Sequence, residues 1–217
     1  MVEQQPGIVV LFGSGETSAT GRTVYDWLFR QVTPPVRVVV LETPAGFQPN
    51  SALVAERVAV FLRHRLQNYR PEVRVVPARR RGTPFSPDDA ALVAPMLHAN
   101  VFFLGAGSPT YAARQLVGSL AWHYLLAQQR CGAAIVLASA AAIAAGAQML
   151  PVYEIYKAGE DLHWRTGLDF FGPYGLSLAI LPHWDNREGG DELDTSRCFM
   201  GQRRFEQLQT LLPPGVT

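Results

Sequence analysis

What this sequence most plainly lacks is charge of one sign: 19 Lys and Arg stand against 18 Asp and Glu, for a net charge of +1, and only 17% of the residues are charged. A chain so close to neutral offers no general electrostatic reason to bind nucleic acid or an acidic membrane surface. The one basic cluster, Arg79-Arg80-Arg81, sits beside Gly82 and Pro84 and reads as a solvated loop, or as a rim able to hold an acidic substrate. Cysteine is nearly absent. Cys131 and Cys198 form neither a metal-type pair nor a disulfide framework, which makes a reducing cytoplasm the simplest compartment.

Targeting and membrane signals are missing too. The opening MVEQQPG has no basic region, and the IVVLF that follows is too brief for the apolar core of a secretory signal. The longest uncharged stretch, Cys131 to Tyr153, has 23 residues and is long enough to cross a bilayer. Its alanine richness, with Ser139, Gln148 and Pro151, instead describes a buried strand followed by a small-residue helix. Internal repeats, low-complexity tracts and Pro/Gly/Ser-rich linkers are absent, so 217 residues are expected to form a single domain, 1–217.

Four short apolar runs are present: IVVLF (8–12), VRVVVL (36–41), VFFLG (101–105) and AAIVLA (133–138). Each is too short and too β-branched or aromatic for a helix, and being apolar on both faces they suit a parallel sheet covered on both sides. Helical spacing appears between them, at Val54, Val58, Phe61, Leu62 and Leu66 and again from Tyr111 to Ala127. This alternation predicts an α/β fold, a doubly wound three-layer sandwich with a mostly parallel central sheet. Beyond Tyr153 short strands and turns are expected, then an amphipathic helix from about Thr195 to Leu212 that stops before Pro213-Pro214.

The segments after the strands carry the chemistry. GSGETS (13–18), ETPAGFQPN (42–50), GAGSPT (105–110) and SAAA (139–142) all fall where the carboxyl ends of a parallel sheet converge on one crevice. GSGETS lacks the third glycine of a dinucleotide fingerprint and the lysine of a P-loop, so it is a weak phosphate cradle and a better tight turn. Glu16 in that loop is either a site carboxylate or a helix-start acid. Ser139, a lone hydroxyl at a strand-to-helix junction, is a candidate nucleophile. Of the five histidines, His183 alone follows an apolar run, LSLAILP, directly, with Asp185 and Asn186 just behind it. No His or Cys pair has ligand spacing, so no metal is expected.

A serine nucleophile needs a base, the base needs an orienting group, and the oxyanion needs preorganised donors. Ser139, His183, either Glu154 or Asp185, and the backbone N–H groups of Ala140 and the Gly105-Ala106-Gly107 segment can supply them.

With these residues in view, the chain resembles the serine peptidases that include aspartyl dipeptidase (dipeptidase E) and cyanophycinase, on a fold related to class I glutamine amidotransferases. VFFLGAGSPTYAARQL is similar to the family's strand, glycine-rich loop and helix, VLASAAA to its nucleophile turn, and LPHWDN to its histidine segment, while PVYE brings an acid at the expected distance. The resemblance spans about residues 7–210 and is closest to uncharacterised amidotransferase-like relatives. It implies Ser139 as nucleophile, His183 as base, Glu154 as acid and Gly105, Ala106 and Gly107 as the oxyanion loop. Three positions depart from the pattern: Ala141 stands where the family has glycine, Leu137 where it often has a small residue, and Ala106 where the oxyanion loop has its middle glycine.

The expected activity is hydrolysis of a small peptide or amide through a Ser-His-acid triad, with no cofactor. A catalytically inactive small-molecule binding protein, and a phosphate or nucleotide binder using the Gly-rich loops, are the alternatives. The partner is a small molecule or short peptide rather than nucleic acid or membrane, and completion of the crevice by a second copy in a homo-oligomer stays open.

Overall fold

The computed structural model describes residues 5–217. Five parallel strands form its central sheet: β1 (Val9–Phe12), β2 (Arg37–Leu41), β3 (Glu72–Val76), β4 (Val101–Leu104) and β5 (Ala134–Ala138), in the order β1-β5-β4-β2-β3. Helices α1 (Ala19–Gln31), α2 (Ser51–Arg65), α3 (Ala90–Val93), α4 (Pro109–Leu116), α5 (Leu120–Arg130) and α6 (Ala140–Ala144) fill the connections and follow the last strand. The C-terminal part adds a two-stranded ribbon of β6 (Gln148–Met149) and β7 (Arg165–Thr166), with α7 (Val152–Tyr156) and α8 (Gly201–Thr210).

Strand order explains the layers. The chain moves from β1 across to β2 and β3, then returns to β4 and β5 in the opposite direction. Right-handed crossovers place the helices of those two journeys on opposite faces. Accordingly Val38, Val40, Val101, Phe103 and Val136 pack with Tyr25, Leu28 and Phe29 of α1 and Val58 and Leu62 of α2. On the other face Val39, Leu41, Phe102, Leu104, Ile135 and Leu137 pack with Leu116, Trp122 and Leu125. Residues alternate faces along each strand, yet both faces are covered, which is why the sequence shows apolar runs without polar alternation.

Three departures from the expected elements have physical causes. β3 is an edge strand in which Glu72 and Arg74 face solvent and Val73 and Val76 face inward, so its sequence alternates instead of running apolar. The helical pattern from Tyr111 to Ala127 is two helices, interrupted at Gly118, whose φ is +65°, and restarted by Ser119, whose hydroxyl accepts from the Trp122 N–H at 3.1 Å. The last helix begins only at Gly201, because Arg197, Cys198 and Phe199 hold φ between +54° and +69°.

A third apolar cluster joins Ala112 and Ala113 of α4 and Ile143 of α6 to Leu150, Ile155, Cys198, Met200 and Leu208. It fastens the C-terminal segment over the carboxyl ends of the sheet, which brings His183 above the end of β5. Among the described residues no helix is long and apolar enough to cross a membrane.

Candidate active site

Ser139 follows β5 and opens α6. Its N–H donates to the Phe12 carbonyl at 3.0 Å, prolonging the β1–β5 ladder by one residue, and its carbonyl accepts from Ile143 at 3.1 Å as the first helical bond. Serving both a strand and a helix at one residue forces φ +52° and ψ −115°, a conformation a side chain rarely adopts. The turn thrusts the hydroxyl out of the sheet edge, and its Oγ lies 2.8 Å from Nε2 of His183.

His183 comes from the extended segment that crosses the sheet's carboxyl end. LSLAILP forms no strand of the central sheet: Ala179 makes an isolated bridge with Gln148, and its N–H donates to the Thr217 carbonyl. The histidine is held from behind by residues 194–201. Its carbonyl accepts from the Cys198 N–H, the Trp184 carbonyl accepts from the Arg197 N–H at 2.8 Å, and the Phe199 ring lies 5.6 Å from the imidazole. Arg197 also stacks over Trp184 at 4.3 Å. Burial pushes the imidazole below its ordinary value of 6.5, against the opposing pull of Glu188 and then Glu16. It is therefore neutral near pH 7. With the proton on Nδ1, Nε2 accepts from the serine.

Apart from Asp185 and Asn186, the residues expected at the site fall into three adjoining spaces. Ser139, Ala140, His183 and Gly107 line one narrow crevice with Ile143, Tyr153, Cys198 and Phe199. The N–H groups of Gly107 and Ala140 donate to no group among the described residues, and so are open to an incoming oxygen. Gly107 is required there: at φ +151°, a Cβ would lie 1.8 Å from the Pro44 carbonyl oxygen. Gly105, Ala106 and Glu16 line a second cavity on the α2 side of the loop, beside the buried Glu42. Glu154 lines a third, larger cavity with Phe47, Arg80, Thr110, Tyr111 and Arg114.

The structure does not bring Glu154 to the histidine. Its carboxylate lies 3.8 Å from Arg165, and its Oε2 is buried with no partner. Asp185 is exposed, and Asn186 serves its own loop, its Oδ1 accepting from the Thr195 hydroxyl at 2.8 Å and the Glu188 N–H at 2.9 Å. Among the described residues no carboxylate oxygen lies within 4.0 Å of either His183 ring nitrogen. Nor, among the described residues, is any group of three or more His, Cys, Asp or Glu side chains arranged to hold a metal.

Tyr153, Cys198 and Phe199 line the crevice without having been anticipated. Tyr153 had a signal, since it precedes the acid in PVYE; Cys198 and Phe199 had none, because their positive φ values belong to a loop with no glycine at those positions. Burial pushes the Cys198 thiol up to about 12, so it is protonated and no rival nucleophile. The helices after the two Gly-rich loops carry their own caps: Ser18 accepts from the Gly21 N–H and Ser108 from the Tyr111 N–H, each at 3.1 Å, at the starts of α1 and α4 where a phosphate would otherwise bind.

No family model matches the chain, and no curated protein matches its sequence. Solved structures do match in fold. One is the crystal structure of a peptidase from an acI-B1 Actinobacterium, 16% identical over 84% of this chain and 70% of that one, with a TM-score of 0.68. Another is that of a putative Peptidase E protein from Listeria monocytogenes EGD-e, 12% identical over 94% and 87% of the two chains, with a TM-score of 0.60. At these identities the likeness is one of fold, and it is a peptidase E-like fold.

Proposed function

We propose that this chain is a serine hydrolase that cleaves a small peptide or amide, with Ser139 as nucleophile and His183 as general base. The observation that carries the reading is the 2.8 Å contact between Ser139 Oγ and His183 Nε2 at a serine whose φ is +52°. Strain at a non-glycine residue persists only where the surrounding fold over-determines it, and such strain clusters at active sites. The fold shared with two structures described as peptidases supports the same reading.

In this mechanism neutral His183 takes the Ser139 proton as Oγ attacks the scissile carbonyl carbon. The developing oxyanion is received by the unpaired N–H groups of Ala140 and Gly107, with Ala106 beside them. The imidazolium then gives its proton to the departing amine as the C–N bond breaks, leaving an acyl group on Ser139. A water, deprotonated by the same histidine, hydrolyses that ester. The imidazole is oriented by its backbone tether to Cys198 and its contact with Phe199, while Glu188 and Glu16 supply the negative potential that favours the transient imidazolium. Glu154, the acid the family resemblance implies, takes no part in the proton transfers on this reading and lines the neighbouring cavity.

A fluorophosphonate probe tests the assignment. The native protein should form a stable adduct that Ser139→Ala abolishes, and His183→Ala should slow labelling by about 10²-fold or more, the usual worth of a positioned base. Absence of labelling in the native protein, or an adduct that survives Ser139→Ala, overturns the hydrolase. A chain that binds small molecules without cleaving them is the reading that would then replace it.

A further inference from the structure

The crevice around Ser139 has room for only a small part of a substrate. Its volume is about 40 Å³, and at about 10–15 Å³ per water it holds roughly three waters, or an acyl group of one or two carbons. The third cavity described above has a volume of about 470 Å³, the size of an ordinary small-molecule site, about 300–1,000 Å³. Two of its polar atoms, Thr110 Oγ1 and Glu154 Oε2, are buried with no hydrogen-bond partner. Buried polar groups are almost always paired, so each is a place for a ligand's N–H or C=O.

One side chain belongs to both spaces. Tyr153 lines the serine crevice and the larger cavity alike. It stands on α7 between Val152, which is buried, and Glu154, so its backbone is anchored. The residue is 37% exposed, and its hydroxyl makes no hydrogen bond among the described residues. Nothing polar tethers it in place.

We propose that Tyr153 is the specificity-determining residue of the Ser139 centre. Its ring closes the serine off from the larger cavity, so the native protein accepts only small acyl groups, and loss of the ring joins the two spaces and admits bulky ones. The proposal rests on the hydrolase reading, because it needs a reactive Ser139, and it adds which part of a substrate is restricted and by what. The hydroxyl plays no part, so Tyr153→Phe should behave as the native protein.

Labelling rates with two fluorophosphonates decide the matter, one bearing a methyl group on phosphorus and one a benzyl group. In the native protein the methyl probe should react at least about tenfold faster than the benzyl probe, within the range a pocket achieves by excluding surplus carbon. Tyr153→Ala should shrink that ratio about tenfold or more, Tyr153→Phe should leave it unchanged, and Tyr153→Trp should widen it. A thermal melt of each variant separates lost folding from altered selectivity, and a ratio of two rates on one protein is insensitive to the folded fraction. Equal ratios in native and Tyr153→Ala proteins, both labelled at Ser139, would overturn the partition while leaving the hydrolase standing. No labelling of any form by either probe would overturn the hydrolase and the partition with it.

Discussion

Ser139 carries two opposed demands: a serine is the wrong residue for φ +52° and ψ −115°, and the fold nevertheless holds it there. The strain costs about 1–3 kcal/mol, and glycine is the residue that escapes it. Ser139→Gly should therefore be more stable than Ser139→Ala by about 1 kcal/mol, measured by denaturant unfolding, although both lack the nucleophile. A reversed order would mean that the backbone is not strained. The histidine makes a separate prediction. Burial depresses its pKa below 6.5, and only the neutral form is a base. The labelling rate should be flat at neutral pH and fall with a midpoint below 6.5 as the solution is acidified. Stability follows the same sign. Between the folded and unfolded values the unfolded chain binds more protons, so the contribution of this group to stability declines as pH drops below about 6.5 and levels off under the folded value. A rate midpoint above 6.5 would contradict the burial of the ring.

The junction of β5 and α6 shows how an elbow is built without the family's small residues. Leu137 and Ala141 are both buried in the cluster between the sheet and α4 and α5, and they line one tight space with Ala112, Ala144 and Ala145. The bulk of Leu137 is offset on one side by four alanines, Ala112, Ala141, Ala144 and Ala145, while Leu104, Leu116, Trp122 and Leu168 close the rest of the space. Ala141→Gly should cost about 0.5–1 kcal/mol through helix entropy and leave labelling within about twofold. Leu137→Ala should cost about 2–5 kcal/mol, because it leaves a cavity in a packed core that relaxes only in part. If Ala141→Gly instead raised labelling tenfold, the alanine would be impairing the turn. This junction was legible in the sequence because a wholly buried strand advertises itself as an apolar run and the polar residue ending it stands out. β3 was not, since an edge strand shows only alternation, and the break at Gly118 was hidden because Tyr111 and Leu125 keep helical spacing on either side. His183 was legible as a residue following an apolar run, but not its support. That support is a loop whose left-handed residues Arg197, Cys198 and Phe199 carry no local signature and owe their conformations to contact with the histidine segment.

At the scale of the whole molecule, a catalytic edge made of loops from several strands stays in register only if the strand ends are fastened to one another, and Glu42 is such a fastening. It follows the last residue of β2, is 3% exposed, and its Oε2 accepts from Arg79 Nε at 2.6 Å and from the Ser51 hydroxyl at 3.1 Å. One carboxylate thus ties the end of β2 to the start of α2 and to the segment after β3. The pair explains why the three arginines of the basic cluster differ: Arg79 is drawn inward to Glu42, Arg81 pairs with Asp88 at 3.2 Å, and Arg80 is left at the rim of the larger cavity. Removing one partner of a buried pair is costly because the other charge is stranded, whereas removing both is far less so. Arg79→Ala should destabilise the protein by about 3 kcal/mol. Glu42→Gln should cost less, since it keeps the shape and the bond to Ser51 and leaves Arg79, 29% exposed, in reach of water. The double variant should then be more stable than Arg79→Ala alone, by about 1 kcal/mol or more. Urea unfolding of the three variants measures all of this. Equal losses in Arg79→Ala and the double variant would place the cost in the packing of Arg79 over the Phe85 ring, 4.4 Å away, and not in a stranded carboxylate. Because Pro44 lies only two residues after Glu42 and its carbonyl accepts from the Ser108 N–H at 2.9 Å, loosening this fastening should also reach Gly107, so Arg79→Ala should slow labelling of Ser139 while Arg80→Ala, at the rim, leaves the rate for the small probe unchanged.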